Sequence, residues 1–186
     1  MATTALIVVD VQQGFEDPGN PPRDNPSAEA NVERLIAAWR ERGEPVVFVR
    51  HASQEDGSPL APGQPGYEFK PVVSGEPDLL VTKSVHSAFY GEPDLQAWLD
   101  GAGLKAIAVC GIQTNYCCET TARMGGDLGY DVTFVADAMH TFDMTGPDGA
   151  VIPAAEISRA TQASLHGEFA TVRTTDELIG SPQPAN

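Results

Sequence analysis

A chain of 186 residues can bury roughly 70% of its unfolded surface around one core, and 41% apolar with 20% charged residues is the balance of an ordinary globular protein. A net charge of −15 excludes the basic footprint that nucleic acid or an anionic membrane requires, and no apolar run approaches the ~20 residues of a membrane span. Three cysteines, two of them adjacent, argue against a disulfide framework. With no basic, cleavable leader at the start, the expected location is cytoplasmic.

Residues 4–10 form a near-continuous apolar run rich in β-branched residues, the pattern of a central parallel strand covered on both faces. Asp10 ends it, and a carboxylate there either caps the following turn or serves as an acid or base at the edge where open α/β sheets bind ligands. Phe15 either lines that crevice or covers the core. A loop over residues 16–26 precedes a helix over 27–42, where Val32, Leu35, Ile36 and Trp39 recur at i, i+3, i+4 and i+7 and Gly43 supplies the stop. Residues 45–50 read as the second strand. From His51 to Asp78 the chain is rich in Pro, Gly, Ser and acids without periodicity, and a loop that long is expected to form a lid or part of a subunit interface.

The third strand, residues 79–83, delivers Lys83 to the same sheet edge, unless this lysine simply lies on the surface. A helix over 93–100 leads to a fourth strand over 105–110. A helix over 115–128, a strand over 131–136, a loop over 139–153, a helix over 154–166 and a sixth strand over 169–172 complete the alternation. Residues 181–186 are expected to fray. The whole chain, 1–186, therefore reads as one doubly wound α/β domain with a mainly parallel six-stranded sheet flanked by helices.

The stretch from Lys105 to Arg123 carries the chemistry. An apolar run breaks at Gly111 and resumes as a helix, so Cys117 falls near a helix N-terminus. Unpaired N–H groups there favour thiolate and are able to hold an oxyanion, whereas a cysteine of the ordinary kind would be buried and inert. Cys110, inside the strand, and Cys118, about 100° round the helix, read as structural. Asp10, Lys83 and Cys117 converge from three strand ends: Asp10 is placed to take the thiol proton, and Lys83 to favour thiolate and carboxylate.

The sequence from Gly111 to Cys117, GIQTNYC, together with the run from Ala5 to Asp10, Phe15, and the run from Val81 to Lys83, resembles the isochorismatase-like cysteine hydrolases, which include nicotinamidases. The resemblance implies the fold above and a catalytic triad of Asp10, Lys83 and Cys117. It also implies an oxyanion hole from the backbone N–H groups of Gln113 and Cys117, a cis peptide at Ile112–Gln113 and a homodimer or larger homo-oligomer. Phe15, Phe89 and His140 are candidates for the substrate pocket, and His51 and His86 are left open. The nicotinamidase metal site begins with an Asp-x-His after the second strand, where this chain has Val49, Arg50 and His51. No metal or other cofactor is therefore expected, although Glu55, Asp56 and Glu68 remain as possible oxygen ligands. The expected activity is hydrolysis of a small amide, ureido or lactam-like C–N bond through a thioester at Cys117. Vinyl ether hydrolysis by Asp10 and a non-catalytic binding protein of the same fold are the rivals.

Overall fold

The computed structural model describes residues 3–180, so the tail 181–186 lies outside the described residues. Six parallel strands form one sheet in the order β3-β2-β1-β4-β5-β8. They are β1 (Thr4–Val9), β2 (Val46–His51), β3 (Leu79–Lys83), β4 (Ala106–Ile112), β5 (Asp131–His140) and β8 (Thr171–Arg173). A two-residue-per-strand hairpin of β6 (Met144–Thr145) and β7 (Val151–Ile152) stands apart from it.

Period-two alternation divides the apolar runs between two cores. Leu6, Val8, Val46, Phe48, Ala108 and Cys110 face helix α1 (Ala28–Glu41), which contributes Val32, Leu35, Ile36 and Trp39. Ala5, Ile7, Val9, Val47, Val49, Ile107 and Val109 face the other way, towards Leu95 and Leu99 of α2 (Leu95–Gly101), Ala122 of α3 (Glu119–Asp127) and Leu165 of α4 (Ala154–Leu165). Each fully buried Val, Leu or Ile stabilises the fold by about 1.5–3 kcal/mol. Among the described residues no helix is long and apolar enough to cross a membrane.

Several elements differ from the sequence reading. β5 runs on to His140, with a bulge between its pairings to Val109 and Gly111. The polar Asp137 is accommodated because Asn25 and Asn31 donate side-chain amides to its carbonyl, while its carboxylate accepts from the Thr175 N–H at 2.7 Å. That last bond sits at the start of α5 (Thr175–Ile179), a short helix closed by a capping box of Thr174 and Glu177. The sixth strand begins two residues later than expected.

The segment between β2 and β3 is irregular but tied down. Gln13 N–H donates to the Glu68 carbonyl and Lys70 N–H to that of Val11. The Lys70 ammonium pairs with Glu29 at 2.7 Å and Glu16 at 2.9 Å, and the Arg50 guanidinium lies over the rings of Tyr67 and Phe69. Residues 53–60 close on themselves: Ser53 N–H reaches the Leu60 carbonyl, and the Ser53 and Ser58 hydroxyls accept from the Glu55 and Leu60 amides.

Candidate active site

β1 and β4 are neighbours, and the chain winds outward from them in opposite directions, which leaves a crevice at their carboxyl ends. Asp10 follows β1 directly. Its φ of 52° is a left-handed conformation that Asp tolerates better than most residues. Gly111, paired with Val9, has a φ of 128°, and a Cβ there would meet the Val9 carbonyl oxygen at 2.0 Å, so β4 can lie this close to β1 only with glycine. After β4 the peptide Ile112–Gln113 is cis, and Thr114–Cys118 makes a wide π-helical turn in which the Tyr116 and Cys118 N–H groups both donate to the Gln113 carbonyl.

This geometry assembles the three expected residues. Lys83 Nζ donates to Asp10 Oδ2 at 2.6 Å and to Cys117 Sγ at 3.3 Å, and the Lys83 and Asp10 side chains are fully buried. Asp10 Oδ1 has no hydrogen-bond partner among the described residues, which leaves a carboxylate lone pair unspent in the site. Cys117 does sit at the helix start, but the expected fall in its pKa does not follow. Burial and the Asp10 carboxylate push the thiol up, against the opposing pull of Lys83. At rest Cys117 is therefore a thiol beside a carboxylate.

A cavity of about 620 Å³ opens onto these groups, lined by Asp10, Gln113 and Cys117 on its floor and by Phe15, Ser53, Gln54, Glu55, Ser58, Leu60, His86 and Tyr116 around it. Phe15 thus lines the pocket as expected. Phe89 and His140 do not: Phe89 stacks on Tyr130 within the core, and His140 is fully buried with Nε2 3.5 Å from Glu29 Oε1. His140 belongs to a structural charge cluster instead. There, burial alone would raise the Glu29 carboxyl, but His140, Arg23 and Lys70 outweigh it and hold it far below the ordinary carboxylate range.

The sequence left His51 open and did not single out Gln12. His51 lines the cavity, pairs in register with Lys83, and places Nδ1 3.2 Å from the Lys83 ammonium. Gln12, fully buried, holds the His51 backbone with both ends of its amide. The available signal was His51 ending the second apolar run, at the same edge as Asp10 and Lys83. Asp10, His51 and Cys117 are also the group whose ligand atoms, within 4.8 Å of one another, have the composition of a metal site. The Lys83 ammonium bonds to all three, so a positive charge already sits among them. Glu55, Asp56 and Glu68 form no such group among the described residues.

Brief iodoacetamide treatment should alkylate Cys117 alone, because Cys110 and Cys118 are wholly buried in the two cores whereas Cys117 borders the cavity. The rate should climb as pH rises above neutral, since burial holds the thiol protonated. Peptide mapping by mass spectrometry reads both, and labelling at Cys110 or Cys118 first would contradict the placement.

Residues 4–177 match the isochorismatase domain family. The chain is 36% identical to the isochorismatase family protein YrdC of Bacillus subtilis, over 94% of each chain. It is 35% identical to streptothricin hydrolase of Streptomyces noursei, over 90% of this chain and 61% of that one. An isochorismatase-family structure from Chromobacterium violaceum superposes with a TM-score of 0.91 at 36% identity, covering 95% of this chain and 92% of that one. A parallel α/β fold with Asp, Lys and Cys gathered at the switch point, matched over nearly its whole length, makes this chain a member of the isochorismatase family of hydrolases.

Proposed function

We propose that this protein is a metal-free cysteine amidohydrolase acting on a small amide, ureido or lactam-like molecule. The observation that carries this reading is the Lys83 ammonium bonded at once to a carboxylate and a thiol at the floor of a cavity. The likeness to a streptothricin hydrolase supports C–N chemistry.

In the proposed reaction the Cys117 proton passes to Asp10 as Sγ forms a bond to the substrate carbonyl carbon. The oxyanion is held by the backbone N–H groups of Gln113 and Cys117. The C–N bond then breaks, and the protonated Asp10 gives its proton to the departing nitrogen. Water attacks the thioester with Asp10 as base, releasing the acid and restoring the thiol. Lys83 stays protonated throughout and balances whichever of Asp10 and Cys117 carries the negative charge. A cytoplasmic, reducing setting keeps the thiol free.

The unpartnered Asp10 Oδ1 also suits a second reading, in which Asp10 protonates a vinyl ether and Cys117 is a bystander. A panel of primary amides, ureides and lactams, with vinyl ethers alongside, separates the two. Turnover of amides supports the first, and turnover confined to vinyl ethers overturns it.

Dialysis against EDTA should leave amide turnover unchanged. The reason is the ammonium among Asp10, His51 and Cys117, where a bound divalent cation would face a buried positive charge. Activity that collapses and returns with zinc, manganese or iron would refute the metal-free assignment.

A further inference from the structure

Lys83 Nζ carries three hydrogens, and three acceptors surround it: Asp10 Oδ2 at 2.6 Å, His51 Nδ1 at 3.2 Å and Cys117 Sγ at 3.3 Å. Two of these take part in the proposed reaction, and the third has no role in it. An ammonium only donates, so His51 Nδ1 must offer its lone pair, and a neutral ring then carries its proton on Nε2. Burial, and after it the Lys83 charge, holds the ring below its ordinary pKa.

The ring is built into place. The Gln12 side chain accepts from the His51 N–H at 2.9 Å and donates to the His51 carbonyl at 3.1 Å, a two-point pairing that continues the sheet by side chain. Parallel register sets His51 directly beside Lys83, and the Lys83 carbonyl accepts from the Ala52 N–H at 2.7 Å. His51 lines the cavity and Lys83 lies buried beneath it. With the Nδ1 edge turned to Lys83, the opposite edge is left for the cavity.

We propose that His51 is a further positioning residue of this site: its Nδ1 takes the third Lys83 donor and fixes the ammonium between Asp10 and Cys117, while its Nε2–H holds a polar atom of the substrate. The second half rests on the amidohydrolase reading, whereas the first does not. Protonating the ring removes the lone pair and sets two cations against each other. Asp10, Cys117, His86 and Glu55 also face it, and of these Asp10 and Glu55 favour the charged ring while His86 opposes it. Loss of the neutral ring should therefore appear as an acid limb in turnover.

Long-range 1H–15N correlation spectra of the 15N-labelled full chain test the first half directly. The protein has four histidines, and His51 is assigned by its loss in His51→Asn or by elimination with variants of the other three. At pH 7 the ring should be neutral with its proton on Nε2. A proton on Nδ1, or a charged ring at that pH, overturns the proposal, and this outcome is independent of whether any amide is hydrolysed.

With an amide found by the panel, His51→Asn keeps an acceptor near the Nδ1 position but lacks Nε2–H. It should hold kcat within about threefold, raise KM about tenfold and lose the His51 acid limb. His51→Leu lacks both functions and should lower kcat by roughly tenfold to a hundredfold, the usual range for a hydrogen bond to a charged group. Native kcat in His51→Leu, or equal loss in both variants when melting curves show both folded, overturns the positioning role.

Discussion

Replacing Cys117 with alanine should lower amide turnover by on the order of 10⁴-fold or more while leaving the protein folded, because in the proposed reaction Sγ is the atom that bonds to the substrate. The cost to stability should be small, about 1 kcal/mol, since the thiol contributes little buried area and Lys83 keeps Asp10 and His51 as partners. Steady-state rates beside a denaturant melt provide the measurement. Retention of most of the native amide turnover would mean that Cys117 is not the nucleophile and would overturn the thioester route.

Lys83→Met should harm both activity and stability. The Lys83 and Asp10 side chains are both fully buried and bonded at 2.6 Å. Removing one member of a buried pair leaves an uncompensated charge, at a cost of about 3–5 kcal/mol. Burial alone would lower the Lys83 pKa, but the Asp10 carboxylate, with Cys117 after it, outweighs burial and raises it above its ordinary 10.5. A cation raised in the folded state stabilises fully below its unfolded value and loses that contribution as pH climbs through the folded one. The gap in urea midpoint between native and Lys83→Met should therefore be open at neutral pH and shrink in alkali as pH climbs above 10.5. Turnover should fall about 10³-fold, and equal midpoints at pH 7 would mean that water, not Lys83, compensates Asp10.

The strands could be read from the sequence because a parallel sheet buries both faces, so Ala5–Val9, Val46–Val49 and Ile107–Val109 appear as unbroken apolar runs. The second half of β5 escaped because its polar Asp137 is satisfied by Asn25, Asn31 and Thr175, partners remote in sequence. The α5 helix was signalled by Thr174 and Glu177 at capping-box spacing, but it is only five residues long. In the site, Asp10, Lys83 and Cys117 were legible because each lies at or soon after the end of a strand. His51 was not, because its value depends on which strand lies beside Lys83, and register is invisible without pairing. For Cys117 the helix N-terminus was the visible cue, but burial proved stronger.

The eight residues from Ser53 to Leu60 close on themselves while supplying much of the cavity wall, and the side chains of Ser53, Gln54 and Ser58 make their hydrogen bonds within residues 52–60. Asp10, Lys83 and Cys117 hang instead on strand ends and on the turn after β4. This part of the wall is thus held separately from the three groups at its floor, and His51 is a residue that touches both. On the proposed function, rewriting this short cassette should change which molecule is turned over while leaving Asp10, Lys83 and Cys117 in place, a route to new substrates from unchanged chemistry.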